Sequence, residues 1–405
     1  MLQCFGKLIS YNNRKEAKPM STKKFQISRR TLLTGAALGA AGSVLSIPKP
    51  AIAGHHSSKV NSTRYGPAPG IAKLNANENP YGPSPTALKA MSEAIQKGAY
   101  YANESVAKLK SMIAERNGVS VDHIMITSGS SGALTHLAAA VSQSGNILGP
   151  DLFWDTTSKM GTRNSPFSLK YLPKTNDLSI DLKTMYESID SDTSMVQITN
   201  PNNPTGLITD ADKLKQFSLK ASKRTMVLID EAYNELTEEP DVNSMVPLVQ
   251  QGENVVVART FSKIYGLAGM RVGYIIAKPE TIELASKFGL GDYSLNLAGV
   301  AGAIASYNDF EFLEYSKSKI VEAKQMVEEG LSAVDLKALP SETNFMFIDL
   351  ENLDAEEFRQ VMASQGVLIR GIYRDYTNWS RVSMGILEDV QMFVDNLPIA
   401  LEKLS

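Results

Sequence analysis

In this 405-residue sequence, residues whose types and spacing suggest catalysis or ligand binding are concentrated in four polar loops. They lie at 128–132 (Ser-Gly-Ser-Ser-Gly), 200–206 (Asn-Pro-Asn-Asn-Pro-Thr-Gly), 230–233 (Asp-Glu-Ala-Tyr) and 259–263 (Arg-Thr-Phe-Ser-Lys). Each loop alone is a weak signal, because Asn-Pro and glycine clusters usually form turns and an Asp after a strand usually caps a helix. Together and in this order they favour one chemistry.

The loops contain groups that can bind an anion, form an imine and pair with a protonated ring nitrogen. A Gly/Ser loop that opens an apolar helix presents backbone N–H groups and hydroxyls to a phosphate. Thr260, Ser262 and Arg271 would add hydroxyls and a positive charge to the same anion. Lys263 can form an imine with a carbonyl group, and Asp230 can keep a ring nitrogen protonated. Pyridoxal phosphate requires all three, so the residues predict this cofactor.

Short apolar segments precede most of these loops and predict the strands that position them. Being apolar throughout, they are typical of strands buried on both faces, and helical or loop segments separate most of them. The pattern predicts an α/β fold, with a three-layer, mainly parallel sheet in the large domain. Ligands bind beyond the carboxyl ends of such strands. The segments lie at 123–127, 195–199, 226–229, 254–258 and 272–277.

The chain divides into four predicted parts. Residues 1–53 would be an export signal, 54–83 a flexible N-terminal arm, 84–308 the large cofactor-binding domain and 309–405 a smaller α+β domain. In the large domain we expect helices at 85–96, 109–116 and 133–141. In the small domain we expect helices at 309–329, 355–364 and from 388 onward, with strands at 345–350, 367–370 and 381–383.

The motifs in this order resemble the fold-type I aminotransferases of class I/II, in particular the histidinol-phosphate aminotransferases. The resemblance covers nearly all of residues 70–400. It implies a pyridoxal-phosphate-dependent transaminase that moves an amino group between an α-amino acid and a 2-oxo acid, and it implies a homodimer. The motifs lie at 77–85, 200–206, 230–233, 260–263, 266–274 and 340–345.

The resemblance also implies cofactor-binding roles. Lys263 would form the imine and then act as the base, and Asp230 would pair with the pyridinium nitrogen. Asn203 and Tyr233 would hydrogen-bond the phenolic oxygen, with Tyr233 counted among the catalytic residues. The phosphate would be held by Ser130, Ser131, Thr260, Ser262 and Arg271. Phe153 would stack on the ring, with Trp154 as its rival, and Tyr101 would reach the phosphate of the other subunit.

Three further residues would bind substrate. Arg381 matches the arginine that clamps the substrate α-carboxylate, a task that suits a bidentate fork. Arg370 occupies the place where histidinol-phosphate enzymes hold the substrate phosphate, and it could equally bind a side-chain carboxylate or pair on the surface. Asn77 completes the set. The sequence departs from the family at 100–103, where Tyr-Tyr-Ala-Asn replaces the usual Arg-Tyr-Pro-Asp.

The first 53 residues carry a net charge of +8, which leaves −10 for the rest of a chain whose total is −2. Arg29 and Arg30 precede an uncharged run to Ile47, and Ala51-Ile52-Ala53 follows, so the segment resembles a cleaved twin-arginine signal. Cleavage or retention as an anchor, and a start at Met1 or Met20, stay open. We expect a periplasmic enzyme, without stable membrane insertion after cleavage, whose substrate differs from that of the cytosolic histidine pathway.

Other function classes are weaker. An acidic body disfavours nucleic-acid binding. Four histidines without ligand spacing, and no Gly-x-Ser-x-Gly motif, disfavour a metal site or a serine triad. A decarboxylase or lyase on the same fold stays open, because a clamped carboxylate does not decide the fate of the carbanion. A non-catalytic ligand-binding or scaffold protein is disfavoured, since it needs no imine lysine.

Overall fold

The computed structural model describes residues 65–404. The predicted export signal and the first part of the predicted arm lie outside these residues. The elements of the first half are β1 (Ala72–Lys73), α1 (Pro85–Ile95), α2 (Asn103–Arg116), β2 (Ile124–Thr127), α3 (Gly129–Val141), β3 (Asn146–Pro150), α4 (Thr156–Gly161), β4 (Leu169–Leu172), α5 (Leu182–Glu187) and β5 (Thr193–Thr199).

The second half continues the alternation and then changes to a helix-rich pattern. Its elements are α6 (Ala211–Ala221), β6 (Met226–Asp230), α7 (Pro240–Asn243), α8 (Val246–Gln250), β7 (Val255–Thr260), β8 (Gly273–Ile276), α9 (Pro279–Ser286), α10 (Leu297–Tyr307), α11 (Phe310–Ser332), β9 (Lys337–Ala338), β10 (Phe345–Asp349), α12 (Ala355–Ser364), β11 (Val367–Leu368), β12 (Trp379–Ser383) and α13 (Leu387–Leu404).

A seven-stranded sheet in the order β2-β8-β7-β6-β5-β3-β4 forms the centre of the large domain. All neighbouring strands are parallel except β8, which runs antiparallel to both β2 and β7. This confirms the predicted α/β class with a mainly parallel sheet. Because β8 runs the opposite way, its first residue Gly273 pairs with Thr127 and Thr260, the last residues of β2 and β7. Arg271, just before β8, is thereby brought to the edge where the parallel strands end.

Alternate residues of each central strand pack into two separate cores. In β6, Val227 and Ile229 belong to one hydrophobic cluster, whereas Met226 and Leu228 belong to the other. All four are buried. A strand covered on both faces must be apolar at every position, which explains why these strands read as continuous apolar runs. The two cores separate the sheet from a helical layer on each side, as the three-layer prediction requires.

The carboxyl-terminal elements form a second, smaller sheet. β10 pairs antiparallel with β12 and with β9, and α11, α12 and α13 pack around them. β1 pairs in parallel with β11, so the arm joins the C-terminal part of the chain. The predicted boundary at 308/309 falls between α10 and α11.

Two local predictions were wrong. The loop predicted at 128–132 is mostly the first turn of α3, because Gly129 adopts a positive φ and lets the helix begin directly after β2. The strand predicted at 367–370 pairs only at Val367 and Leu368, and Arg370 instead forms an isolated bridge with Arg381. Within 65–404, no helix has both the length and the apolar run that a membrane crossing requires.

Candidate active site

A cavity of about 390 Å³ lies at the carboxyl edge of the sheet, where the four polar loops meet. The arm contributes Asn75 to Glu78 to its wall, and the C-terminal part contributes Arg370, Tyr373 and Arg381. The cavity therefore joins segments that are far apart in the chain. The predicted site residues that line it are Asn77, Ser130, Ser131, Asn203, Asp230, Tyr233, Thr260, Ser262, Lys263, Arg271, Arg370 and Arg381.

The N-terminus of α3 forms one end of the cavity and suits a phosphate. Arg271 donates from Nη1 to Ser262 Oγ (3.3 Å) and to the Ala268 carbonyl (2.9 Å). A Cβ atom on Gly129 would lie 2.3 Å from Nη2 of Arg271, so only glycine allows the guanidinium to approach the helix end. Backbone N–H groups, hydroxyls and a guanidinium converge here, which is the arrangement that binds a dianion.

Asp230, the last residue of β6, also lines the cavity. Its side chain is 3% exposed, and within the described residues its Oδ1 has no hydrogen-bond partner. Burial raises the pKa of this carboxyl to about 7, against the opposing effects of the Ala232 N–H group and Lys263. A buried carboxylate oxygen without a donor is unfavourable. The protonated ring nitrogen of pyridoxal phosphate would supply that donor, so the residues present fit the cofactor.

Lys263 lines the cavity, and the charges of both Asp230 and Arg271 act on its amine. Its Nζ donates to the Asn77 carbonyl (3.0 Å). Burial lowers the pKa of Lys263 to about 8, and the positive charge of Arg381 acts in the same direction. A lysine with a pKa near neutrality has a substantial neutral fraction, which both imine formation and proton transfer require.

A hydrogen-bond network connects Tyr233 to the arginine that faces it. Asn77 Nδ2 donates to the Tyr233 hydroxyl (2.9 Å), and Asn203 Nδ2 lies 3.4 Å from the same oxygen. Arg381 donates from Nη1 to Asn203 Oδ1 (2.8 Å) and from Nη2 to the Asn75 carbonyl (3.2 Å). Burial raises the pKa of Tyr233 to about 12, so its hydroxyl stays protonated and can donate a hydrogen bond to a phenolic oxygen.

Two predicted residues lie outside the cavity wall. The buried Phe153 packs over Gly149 and against Tyr171, whereas its neighbour Trp154 is 39% exposed and lines the cavity. Tyr101 is 75% exposed and does not reach the cavity of its own chain. Tyr373 also lines the cavity, although no sequence motif includes it, and its position three residues after Arg370 is the available signal.

A buried ion pair is formed by Glu231, the residue directly after Asp230. Arg259 donates from Nε (3.0 Å) and Nη2 (2.8 Å) to Oε2 of Glu231, and the backbone N–H of Met245 donates to Oε1 (2.6 Å). The Glu231 side chain is fully buried. The pair fixes the turn that follows β6, next to Asp230. In the described part of the chain, no group of three or more His, Cys, Asp or Glu residues is arranged to hold a metal ion.

Comparisons with known proteins identify the family of this chain. The family described as aminotransferase class I and II matches residues 69–397. Histidinol-phosphate aminotransferase 2 of Nitrosospira multiformis is 32% identical over 340 residues, which cover 82% of this chain and 84% of that protein. The structure of histidinol-phosphate aminotransferase from Sinorhizobium meliloti in complex with pyridoxal-5'-phosphate aligns with a TM-score of 0.77 and 26% identity, covering 88% of this chain and 100% of that one.

The chain belongs to the class I and II aminotransferase family. It is a pyridoxal-phosphate-dependent transaminase, similar to histidinol-phosphate aminotransferases, that moves an amino group between an α-amino acid and a 2-oxo acid. The structure of L-threonine-O-3-phosphate decarboxylase from Porphyromonas gingivalis shares the fold at 22% identity and a TM-score of 0.70, over 82% of this chain and 100% of that one. At that identity the likeness extends to the fold alone.

Proposed function

We propose that the preferred amino donor carries a second anionic group, a phosphate or a carboxylate, and that Arg370 binds it. One observation carries the proposal: Arg370 lines the cavity beside Arg381, and no carboxylate within 65–404 forms an ion pair with it. The two residues exchange backbone hydrogen bonds of 3.0 and 3.1 Å, so their side chains enter the cavity from adjacent segments. The Arg370 guanidinium lies 5.5 Å from the centre of the Tyr373 ring, and without a carboxylate partner it is available to a ligand anion.

The side chains around the cavity divide the work of transamination. When bound, pyridoxal phosphate supplies an aldehyde and a ring that accepts electrons. Nζ of Lys263 would move the proton of the substrate α-carbon, and the Asp230 carboxylate would keep the ring nitrogen protonated. The Tyr233 hydroxyl would donate a hydrogen bond to the phenolic oxygen and keep its own proton. Arg381 holds the α-carboxylate through a planar fork, which orients the α-carbon toward Lys263. Trp154, at the wall, is placed to cover the ring.

A panel of amino donors tests the assignment of Arg370. Donors with an α-carboxylate and a second anion (phosphoserine, glutamate, aspartate) are compared with alanine and phenylalanine in wild type, Arg370→Gln and Arg370→Lys. We expect Arg370→Gln to lower kcat/KM for the preferred anionic donor about tenfold to a hundredfold, as loss of a charged hydrogen bond predicts, with little change for alanine. An equal loss for alanine would contradict the proposal. Phosphate and carboxylate donors in the panel distinguish the two kinds of anion.

We also propose that the enzyme is exported through a twin-arginine signal. The support is the Arg29-Arg30 pair, the uncharged run behind it and the Ala51-Ile52-Ala53 pattern. The chain should then be recovered from the periplasm with Gly54 as its first residue. Replacing both arginines with lysine should retain it in the cytoplasm, and unchanged fractionation of this variant would contradict the proposal.

We further propose that the enzyme is a homodimer in which Tyr101 contacts the cofactor phosphate of the other subunit. Tyr101 is highly exposed, and so are Tyr100 and Ile95 nearby in the chain, which is unusual for large apolar side chains. Light scattering of the holoenzyme should give twice the chain mass. Tyr101→Phe should weaken cofactor binding while the dimer persists, and unchanged binding would contradict this role.

A further inference from the structure

A cluster of ion pairs outside the catalytic set joins two walls of the cavity. Arg374 donates from Nη1 to Asp151 Oδ1 (3.1 Å) and from Nη2 to Asp155 Oδ2. The two aspartates flank Trp154, which lines the cavity. Arg374 itself directly follows Tyr373, another wall residue. One guanidinium group therefore connects the segment at 151–155 with the segment at 370–376.

Two tyrosines and a lysine also contact the aspartates. The Tyr376 hydroxyl donates to Asp151 Oδ2 (2.9 Å), and the Tyr171 hydroxyl donates to Asp155 Oδ2 (2.7 Å). Nζ of Lys159 lies 2.9 Å from the same Asp155 oxygen. The guanidinium of Arg374 lies 3.8 Å from the centre of the Tyr171 ring, within the range of a cation–π interaction. The Asp155 side chain is only 14% exposed. An isolated exposed ion pair contributes little to stability. A partly buried network with several charged hydrogen bonds, in contrast, fixes the relative position of the segments that it joins.

The backbone of Arg374 indicates that the contact constrains this turn. Tyr373 and Tyr376 form an isolated antiparallel bridge, and Arg374 in the turn between them has φ of 50°. A residue with a long side chain rarely adopts this left-handed conformation, which persists only where surrounding contacts hold it. The two carboxylates supply those contacts. The same turn follows Arg370, whose backbone is bonded to Arg381.

We propose that Arg374 is a positioning residue for substrate specificity: by bridging Asp151 and Asp155, it holds the Arg370 side of the cavity at a fixed distance from Trp154. The inference rests on the proposed function, because Arg370 is taken as the site of the second anion. Loss of the bridge leaves the backbone hydrogen bonds between Arg370 and Arg381 in place but lets the turn at 373–376 move, and with it the Tyr373 ring, which lies 5.5 Å from the Arg370 guanidinium. Binding of the second anion then weakens, whereas binding of the α-carboxylate does not.

The test compares Arg374→Gln, Arg374→Lys and Asp155→Asn in the holoenzyme with wild type. Lys223→Gln is the control, because Lys223 forms an ion pair with Glu253 and neither residue lines the cavity. We expect Arg374→Gln to raise KM for the preferred anionic donor about tenfold, with kcat and the KM for alanine within about twofold of wild type. Asp155→Asn should act in the same direction, and Arg374→Lys should restore part of the loss.

The double variant of Arg374→Gln and Arg370→Gln distinguishes failure of the inference from failure of the proposed function. If Arg374 acts through Arg370, then Arg374→Gln should add less than about twofold to the loss caused by Arg370→Gln. Fluorescence of Trp154, read in a Trp379→Phe background because the chain has two tryptophans, should shift in Arg374→Gln but not in the control. Equal KM changes for both donors, additive losses, or an unshifted fluorescence would overturn the inference. A lack of donor discrimination in Arg370→Gln alone would overturn the proposed function instead.

Discussion

Replacement of Asp230 by asparagine should alter how the stability of the cofactor-free protein depends on pH. Burial raises the pKa of Asp230 from 3.8 to about 7 in the folded protein. Below pH 4 this carboxyl is protonated in both the folded and the unfolded chain and has no effect. Between pH 4 and 7 the unfolded chain loses the proton while the folded chain keeps it, so stability falls as pH rises. Above pH 7 the carboxyl is deprotonated in both the folded and the unfolded chain, so the loss of stability no longer changes with pH.

The size of this stability change follows from the pKa shift of Asp230. About three pKa units at 1.36 kcal/mol each give about 4 kcal/mol as the upper limit of the stability that the cofactor-free enzyme loses between pH 4 and 7. Asp230→Asn abolishes this titration. The variant should therefore gain stability relative to wild type as pH rises, by about 2–4 kcal/mol at pH 8. Because pyridoxal phosphate supplies a donor to the carboxylate, the cofactor should stabilise wild type more than the variant.

Urea unfolding of the two apoproteins at pH 4.5, 6 and 8 measures the difference. Asp122→Asn, the same substitution at an exposed position, is the control. A difference between Asp230→Asn and wild type that does not change from pH 4.5 to 8 would refute the assignment of Asp230 as a buried, unpaired carboxyl in the apoprotein.

Three further predictions concern the groups around the cofactor. Arg259→Met should destabilise the apoprotein by about 3–5 kcal/mol in urea unfolding, because its carboxylate partner stays buried without a counter-charge; a loss below about 1 kcal/mol would contradict this. Arg381→Lys should raise the KM for α-carboxylate substrates at least tenfold while cofactor affinity is unchanged, and an unchanged KM would exclude the clamp. Gly129→Ala should weaken cofactor binding at least tenfold, since its Cβ would displace Arg271, whereas Gly252→Ala, a positive-φ glycine with open space, should not.

The central strands and the loops that follow them could be predicted from sequence because two local rules coincide there. A strand buried on both faces must be apolar throughout, as at Met226 to Ile229, and ligand-binding residues follow directly at its carboxyl end, as at Asp230. The strands β3 and β4 escaped prediction. β3 contains Gly149 and Pro150, and β4 is a partly exposed edge strand, so neither has the continuous apolar pattern.

Features that depend on long-range packing could not be predicted. The ring of Phe153 rather than Trp154 is buried because Gly149 leaves space for it, a contact that the local sequence does not reveal. Arg374 meets Asp151 and Asp155 across more than 200 residues of chain, and only the fold brings them together. The early start of α3 depends on Gly129, whose positive φ cannot be separated from an ordinary turn by composition alone.

As a transaminase, this enzyme should use Lys263 to move the substrate proton and should need a 2-oxo acid for every turnover after the first. A single-turnover experiment tests both points: holoenzyme is mixed with excess amino donor and no acceptor. We predict one equivalent of 2-oxo acid per site, no release of ammonia or carbon dioxide, and further turnover only when a 2-oxo acid is added. Lys263→Ala should form 2-oxo acid at least a thousandfold more slowly. Continuous turnover without acceptor, or release of carbon dioxide, would contradict the account.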